Sequence, residues 1–258
     1  MTDSQPDPII ETKDLTIRFG GHVAVDHVNF SVEPYALKSI IGPNGAGKTT
    51  LFNMMTGQYR PSEGQVFLKG RDITSLGPAE RTRLGIGRSF QLTNVFPLLT
   101  VLENVRIAIQ SREAFGFNFW RSYLHFSDTE DEAYEVLKEV LLEDKWDQVS
   151  SGLTHGEKRK LEIGILFALK PKILFLDEPT AGMGQEEVPA ILEILQKIKD
   201  GKDRTILLVE HKMDMIMSLS DRIAVLQEGR LIAEDSPDQI ARNEIVQAAY
   251  LGGGAKIE

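Results

Sequence analysis

A glycine-rich loop between an apolar run and a helix-forming segment constrains this chain more than any other feature. Leu37-Lys-Ser-Ile-Ile41 is short and mostly apolar, and it runs straight into Gly42-Pro43-Asn44-Gly45-Ala46-Gly47-Lys48-Thr49-Thr50. Lys48 to Met55 then has helical character. Glycine, four residues, glycine, lysine and threonine form a loop whose backbone N–H groups turn inward around phosphate oxygens. Glycine permits the backbone conformations such a turn needs, and the helix that follows adds the positive end of its dipole. In that geometry Lys48 reaches the outer phosphates and the Thr49 hydroxyl suits a magnesium ion. Residues Gly42 through Thr50 are therefore expected to line a nucleotide site. A chance glycine-rich turn is the alternative; the strand before it and the helix after it speak against that.

The rest of the chain supplies a frame for such a loop. Ile173–Leu176, Ile206–Val209 and Ile223–Leu226 are apolar runs of strand length, with a helical segment from Glu186 to Lys199 among them. Ile9 to Val32 alternates, with Val25, Val28, Phe30 and Val32 marking half-buried strands, and Gln65–Leu68 is a further strand. Between about 75 and 170 the character is helical, clearest over Val101–Gln110, Asp128–Leu142 and Thr154–Leu169. Strand alternating with helix predicts an α/β fold, a mostly parallel sheet covered on both faces, with the helical stretch as an inserted lobe. Residues 1–8 are expected to form a loose tail.

Composition narrows the function. A net charge of −9 argues against a general nucleic-acid binder, which carries a basic face. With no cysteine, disulfides, thiol catalysis and thiolate zinc sites are excluded. Met1 to Pro8 has neither a basic start nor an apolar stretch, so it is not a secretory signal. The longest apolar runs are far too short to span a bilayer, which makes any membrane role peripheral.

A second segment complements the loop. Asp177-Glu178 closes the Ile173–Leu176 run. Ligands of an open parallel sheet gather beyond the carboxyl ends of its strands. Asp177 is expected to hold magnesium, directly or through water, and Glu178 to act as general base toward a water attacking the terminal phosphate. The alternative is an acidic pair that caps the next turn.

With these segments in place, the chain resembles the ATP-binding cassette family over about residues 9 to 251. The resemblance implies a P-loop nucleotide-binding domain with an antiparallel β region near the N-terminus and an inserted α-helical subdomain. It implies ATP and Mg2+ as ligands. Gln91, in Gly87-Arg-Ser-Phe-Gln91, falls at the family's Q-loop glutamine, which contacts magnesium and the attacking water and couples to the transport partner. His211 matches the switch histidine that contacts the γ-phosphate, and Phe19 stands where an aromatic ring stacks on adenine. Leu153-Thr154-His155-Gly156-Glu157 is similar to the family signature, usually Leu-Ser-Gly-Gly-Gln. Thr154 and Gly156 would then bind the γ-phosphate held by a second cassette facing head to tail.

From the residues alone, Thr154 and Glu157 form a capping box that opens a helix, and a helix N-terminus is an anion site. Thr154 thus either caps only, or caps at rest and meets phosphate on closure. Three departures stand out: His155 replaces a signature glycine, Glu157 the glutamine, and Gly184 lies where aspartate is common.

The signature, the ending Ala249-Tyr-Leu-Gly-Gly253, and the stretches Arg88 to Pro97 and Leu99 to Asn104 are similar to the ATPase subunits of branched-chain amino-acid importers, the larger of the two. The ATPases of urea and short-amide importers resemble it nearly as well. Lipid or lipopolysaccharide export cassettes and soluble, non-transport cassette ATPases are weaker rivals. The importer reading implies membrane permease subunits, a second ATPase subunit (another copy or a sister cassette) and, indirectly, a solute-binding protein outside the membrane. It places the chain at the cytoplasmic face of the cell membrane. The aromatic run Phe115, Phe117, Phe119, Trp120, Tyr123 and Phe126, with Arg112 and Arg121, is either a permease-docking surface or packing inside the helical lobe. Lys158-Arg159-Lys160 is expected as a solvated helix face, with a membrane-surface role as the alternative. Met213, Met215 and Met217 are expected in packing, and 235–258 as a C-terminal appendage.

Overall fold

The computed structural model describes residues 7–89, 95–112 and 126–251. Gln91 and the aromatic run from Phe115 to Tyr123 lie outside the described residues. Two compact units divide the chain: 1–86, 172–178 and 198–258 form the first, 87–171 and 179–197 the second. The second unit begins at Gly87 rather than near 75, and it takes back a further segment after Glu178.

The first unit is built on two sheets. One has the order β2-β1-β4-β5 and is antiparallel, from β1 (Ile10–Phe19), β2 (His22–Val32), β4 (Glu63–Leu68) and β5 (Arg71–Asp72). Its alternating sequence buries one face, with Ile10, Leu15, Val28 and Phe30 pointing into the core. The other sheet has the order β10-β9-β3-β8-β7-β6. β3 (Leu37–Ile41), β7 (Ile173–Asp177) and β8 (Thr205–Val209) are buried at every residue, which is why apolar residues dominate them, continuously over Ile173–Leu176 and Ile206–Val209, while β3 also buries Lys38 and Ser39. β9 (Arg222–Gln227) continues the parallel set beside β3, β10 (Arg230–Asp235) adds an antiparallel edge, and β6 (Ile86–Arg88) lies at the opposite edge.

Register fixes what the sheet displays. Ile40 and Asp177 both pair with Val209, so the three share one row across β3, β8 and β7. At about 4.8 Å per strand, Ile40 and Asp177 stand roughly 10 Å apart. Every loop leaving that row emerges on the same side.

α1 (Lys48–Met55) packs Leu51, Phe52, Met54 and Met55 into the main core, with Phe52 edge-on to Phe175. Its last carbonyls are met by Arg81, in α2 (Pro78–Arg83). That guanidinium is fully buried and donates to Met54 O and Met55 O at 2.7 and 2.8 Å, and to Ile73, Thr74 and Leu76 carbonyls. Burial pushes its pKa down to about 10, and the five carbonyls are what the cation receives in place of water. Three helices then close the unit: α7 (Met213–Leu219), α8 (Pro237–Ala241) and α9 (Glu244–Leu251). Ile240 and Val246 join Ile41, Ile216, Ile223 and Val225 in a second cluster, with Met213 and Met217 against it. Ile240 of α8 and Val246 of α9 thus supply core, although the sequence suggested an appendage.

The helical unit contains α3 (Val101–Arg112), α4 (Phe126–Glu139), α5 (His155–Ala168) and the start of α6 (Val188–Gly201). α3, α4 and α5 pack on one another, and Val105, Ile109, Ala133, Leu137 and Leu161 on these helices are fully buried. Arg112 is committed inside this unit: it forms a fork with both Glu132 oxygens at 2.8 Å and donates to Ala168 O. Arg112 first and Lys170 with it hold the Glu132 carboxyl at about 2. The solvated face expected at Lys158-Arg159-Lys160 fails at its middle residue: Lys158 and Lys160 are half-buried, but Arg159 is buried. Arg159 is buried, donating to Pro179 O at 3.0 Å and to Glu162 at 2.7 Å, because its side chain turns along the helix toward polar partners that the sequence spacing does not display.

Candidate functional site

The glycine loop leaves β3 at the row set by Ile40 and Val209. Its glycines are there for space as well as for dihedrals. A Cβ on Gly42 would lie 2.1 Å from the Leu226 carbonyl oxygen, and one on Gly47 would lie 2.6 Å from the Ala24 oxygen; Gly47 also has φ of +98°. No side chain caps α1, and its first turn holds no acid, so its positive end faces the loop without a carboxylate of its own. Lys48 is buried and reaches back along the loop, donating to Gly42 O at 2.8 Å and Pro43 O at 3.1 Å. Burial lowers its pKa; the charges of Glu178 and Asp177 oppose that shift, which places both carboxylates in its electrostatic field.

Asp177 ends β7 fully buried. Glu178 follows with φ of +48°, its N–H donating to Val209 O at 2.8 Å. A left-handed glutamate costs of the order of 1–3 kcal/mol. That turn lifts the carboxylate out of the strand line, to where Oε1 lies 3.0 Å from His211 Nε2. His211 is aimed from β8 by a residue the sequence reading missed. Glu210 is buried, and its Oε2 accepts from the N–H groups of His211 at 2.7 Å and Lys212 at 3.2 Å. An acid directly before the histidine, at a strand end, was the available signal. Phe19 ends β1 with its ring 47% exposed.

The other expected contacts belong to the helical unit. The Thr154–Glu157 box forms: the Glu157 N–H donates to Thr154 Oγ1 at 3.2 Å, and the Thr154 N–H to Glu157 Oε2 at 2.9 Å. Lys145 pairs with the same Glu157 carboxylate. A second carboxylate, unforeseen in the sequence, sits across this helix start. Glu187 accepts from the Thr154 hydroxyl, the Gly156 N–H and the Gly184 N–H, each at 3.2 Å. Gly156 leaves room for it: a Cβ there would stand 2.4 Å from Glu187 Oε1, so the glutamate would have to swing away. His155 folds over the Ala181-Gly182 turn, 3.2 Å from the Ala181 oxygen. Among the described residues no cluster of three or more His, Cys, Asp or Glu is placed to hold a metal.

The match with known families follows this geometry. The model of the family described as "ABC transporter" matches residues 25–181, more than half of the chain. The chain belongs to the ATP-binding cassette transporter family. It is an ATPase of that family, with its cassette fold and ATP as substrate. A second model, described as branched-chain amino acid ATP-binding cassette transporter, matches residues 230–256 of this cassette. The cassette is 40% identical to the high-affinity branched-chain amino acid transport ATP-binding protein BraF of Pseudomonas aeruginosa, over 95% of this chain and 98% of that one. It is 36% identical to LivG of Escherichia coli, with the same coverage. A solved ATP-binding cassette of an ABC transporter in its ADP conformation superposes with a TM-score of 0.81 at 29% identity, covering 95% of this chain and 99% of that one.

Proposed function

We propose that this cassette is the ATP-hydrolysing subunit of an importer for branched-chain or related amino acids, working peripherally on the cytoplasmic side of a membrane with permease subunits. The whole-length likeness to BraF and LivG supports the substrate class, as does the C-terminal match. No helix among the described residues is long and apolar enough to cross a membrane, so passage of the solute falls to partner subunits.

The observation that carries the catalytic reading is the Glu178–His211 contact, beside Asp177 and in reach of the field of Lys48. In this reading the loop Gly42 to Thr50 wraps the phosphates and Lys48 exchanges its two loop carbonyls for phosphate oxygens. Glu178 takes a proton from the attacking water, and His211 holds Glu178 and the terminal phosphate in line. Two protein oxygens, the Thr49 hydroxyl and the Asp177 carboxylate, suit Mg2+, which takes most of its ligands from phosphate and water. When bound, that ion neutralises charge developing on the phosphates. Gln91 would join these residues in holding the ion, and Phe19 stacks on the base. Thr154 and Gly156 of a second cassette complete the site, so hydrolysis separates the two copies.

The test is Glu178→Gln. ATP turnover is expected to fall about 10²- to 10⁴-fold, with a dimer that forms only in ATP on a sizing column. Turnover lost without a dimer would keep Glu178 as base and require a sister subunit. Wild-type turnover in the variant would remove Glu178 from the mechanism.

A further inference from the structure

Two aromatic rings stand half out of the surface where β1 ends. Phe19 is 47% exposed and Tyr59 40%, and their centroids lie 5.5 Å apart at an interplanar angle of 74°. Edge-to-face contact of this kind is favoured by the ring quadrupoles and occupies at most one face of each ring. A face of Phe19 therefore stays available although the ring is already held.

Tyr59 is itself anchored at both ends of its loop. Its N–H donates to Asn53 O at 3.0 Å, within α1, the helix that opens at the phosphate loop. Three residues later the Ser62 N–H donates to Thr16 O at 2.8 Å, and Ser62 Oγ accepts from the Arg18 N–H at 3.1 Å. Arg18 also pairs with Glu63 at 2.9 Å. The loop thus ties the end of β1 to α1 through short bonds, with Tyr59 in between and pressed against Phe19.

We propose that Tyr59 is a positioning residue for the nucleotide base: it sets the Phe19 ring at a fixed offset from the phosphate loop, so that a purine stacks on Phe19 while its phosphates enter the loop. This rests on the reading of Phe19 as the base platform. The ligand chemistry is a planar, electron-rich heterocycle joined to a polyphosphate. The contribution of Tyr59 lies in the angle and distance of the platform, with no contact to the reacting atoms.

Binding of ATP and of inorganic tripolyphosphate, which lacks a base, separates the possibilities in wild type, Phe19→Ala, Tyr59→Ala, Tyr59→Phe and the double alanine variant. Tyr59→Ala is expected to weaken ATP about 2- to 10-fold, the range of an aromatic pair, raising KM with kcat unchanged. Tripolyphosphate affinity should not move. Tyr59→Phe should behave as wild type, and the double variant should be no weaker than Phe19→Ala alone. Loss of ATP affinity in Phe19→Ala but not in Tyr59→Ala would overturn the positioning role and leave the platform standing. No change in either variant would remove the platform and the proposal together. Equal weakening of tripolyphosphate would mean that Tyr59 acts only on the loop through α1, and would also overturn it. Should Tyr59→Ala not fold, Tyr59→Leu keeps the side-chain volume without a ring and is read in the same way.

Discussion

α1 and α5 both begin where this cassette is expected to meet phosphate, and their starts are finished in opposite ways. α1 opens on Gly47, with no side-chain cap and no acid in its first turn. α5 opens on a Thr154–Glu157 box and carries the Glu187 carboxylate besides. The bare start suits a site that must accept a highly charged ligand again and again, because nothing of like charge has to leave. The capped start is satisfied without any ligand, which suits a surface that meets phosphate only when a second copy arrives. A bare helix start and an internally satisfied one thus follow from the same helix physics, separated by which side chains stand within reach.

Glycine-to-alanine exchange at the two starts breaks or sharpens this contrast. Gly42→Ala meets a backbone oxygen that cannot swing away. It is expected to cost about 3 kcal/mol or more, roughly 10 °C in Tm, and to abolish the Tm rise that saturating ATP gives the wild type. An unshifted melting curve would show that the loop yields and that its shape is not built in. Next in size, Thr154→Ala removes a cap worth about 1 kcal/mol, some 2–4 °C, while ATP binding to the isolated subunit stays as it was. Gly156→Ala meets the far end of a flexible glutamate instead of backbone, so its effect should be smaller than that of Gly42→Ala by about 2 kcal/mol. It should also shrink when combined with Glu187→Ala, as a double-mutant cycle would read. Additive effects would mean that Glu187 does not hold this helix start.

The smallest expected effect is electrostatic. Burial raises the pKa of Glu157, but the Lys145 ammonium and the Thr154 N–H outweigh it, so the carboxyl lies below its usual 4.5. A depressed pKa gives stability that is present above 4.5 and lost as pH falls through the folded value. Urea melts of wild type and Glu157→Gln between pH 7 and 3 should converge as the pH drops. Parallel curves would take Glu157 out of the cap.

How much of this was legible in the sequence depends on how far the partners lie along the chain. The phosphate loop, β7 and the Asp177-Glu178 pair could be read because strand, turn and helix signals adjoin within a dozen residues. The Thr154–Glu157 box is likewise a three-residue spacing. Glu187 lies 33 residues from Thr154, and Tyr59 is 40 from Phe19; no periodicity connects such pairs. Arg81 reverses the usual expectation for arginine, because its acceptors are backbone carbonyls, which every residue carries and no pattern marks; for Arg159 the Glu162 partner is a three-residue spacing, but the Pro179 carbonyl is not marked by any pattern. The C-terminal helices were underestimated for a related reason: Ile240 stands in polar company and Val246 in a short apolar stretch, and only the sheet they cover gives them meaning.

The shared row of Ile40, Val209 and Asp177 has one more consequence. Side chains alternate faces along a strand, so a slip of one residue in β3, β7 or β8 would turn Asp177 away or carry Gly42 out of place. A chain with wrongly paired strands, however compact, would lack both halves of the site at once. The catalytic rate per molecule of this cassette is therefore also a proofreading signal: in any preparation it reports the fraction of chains whose central strands have found their proper neighbours.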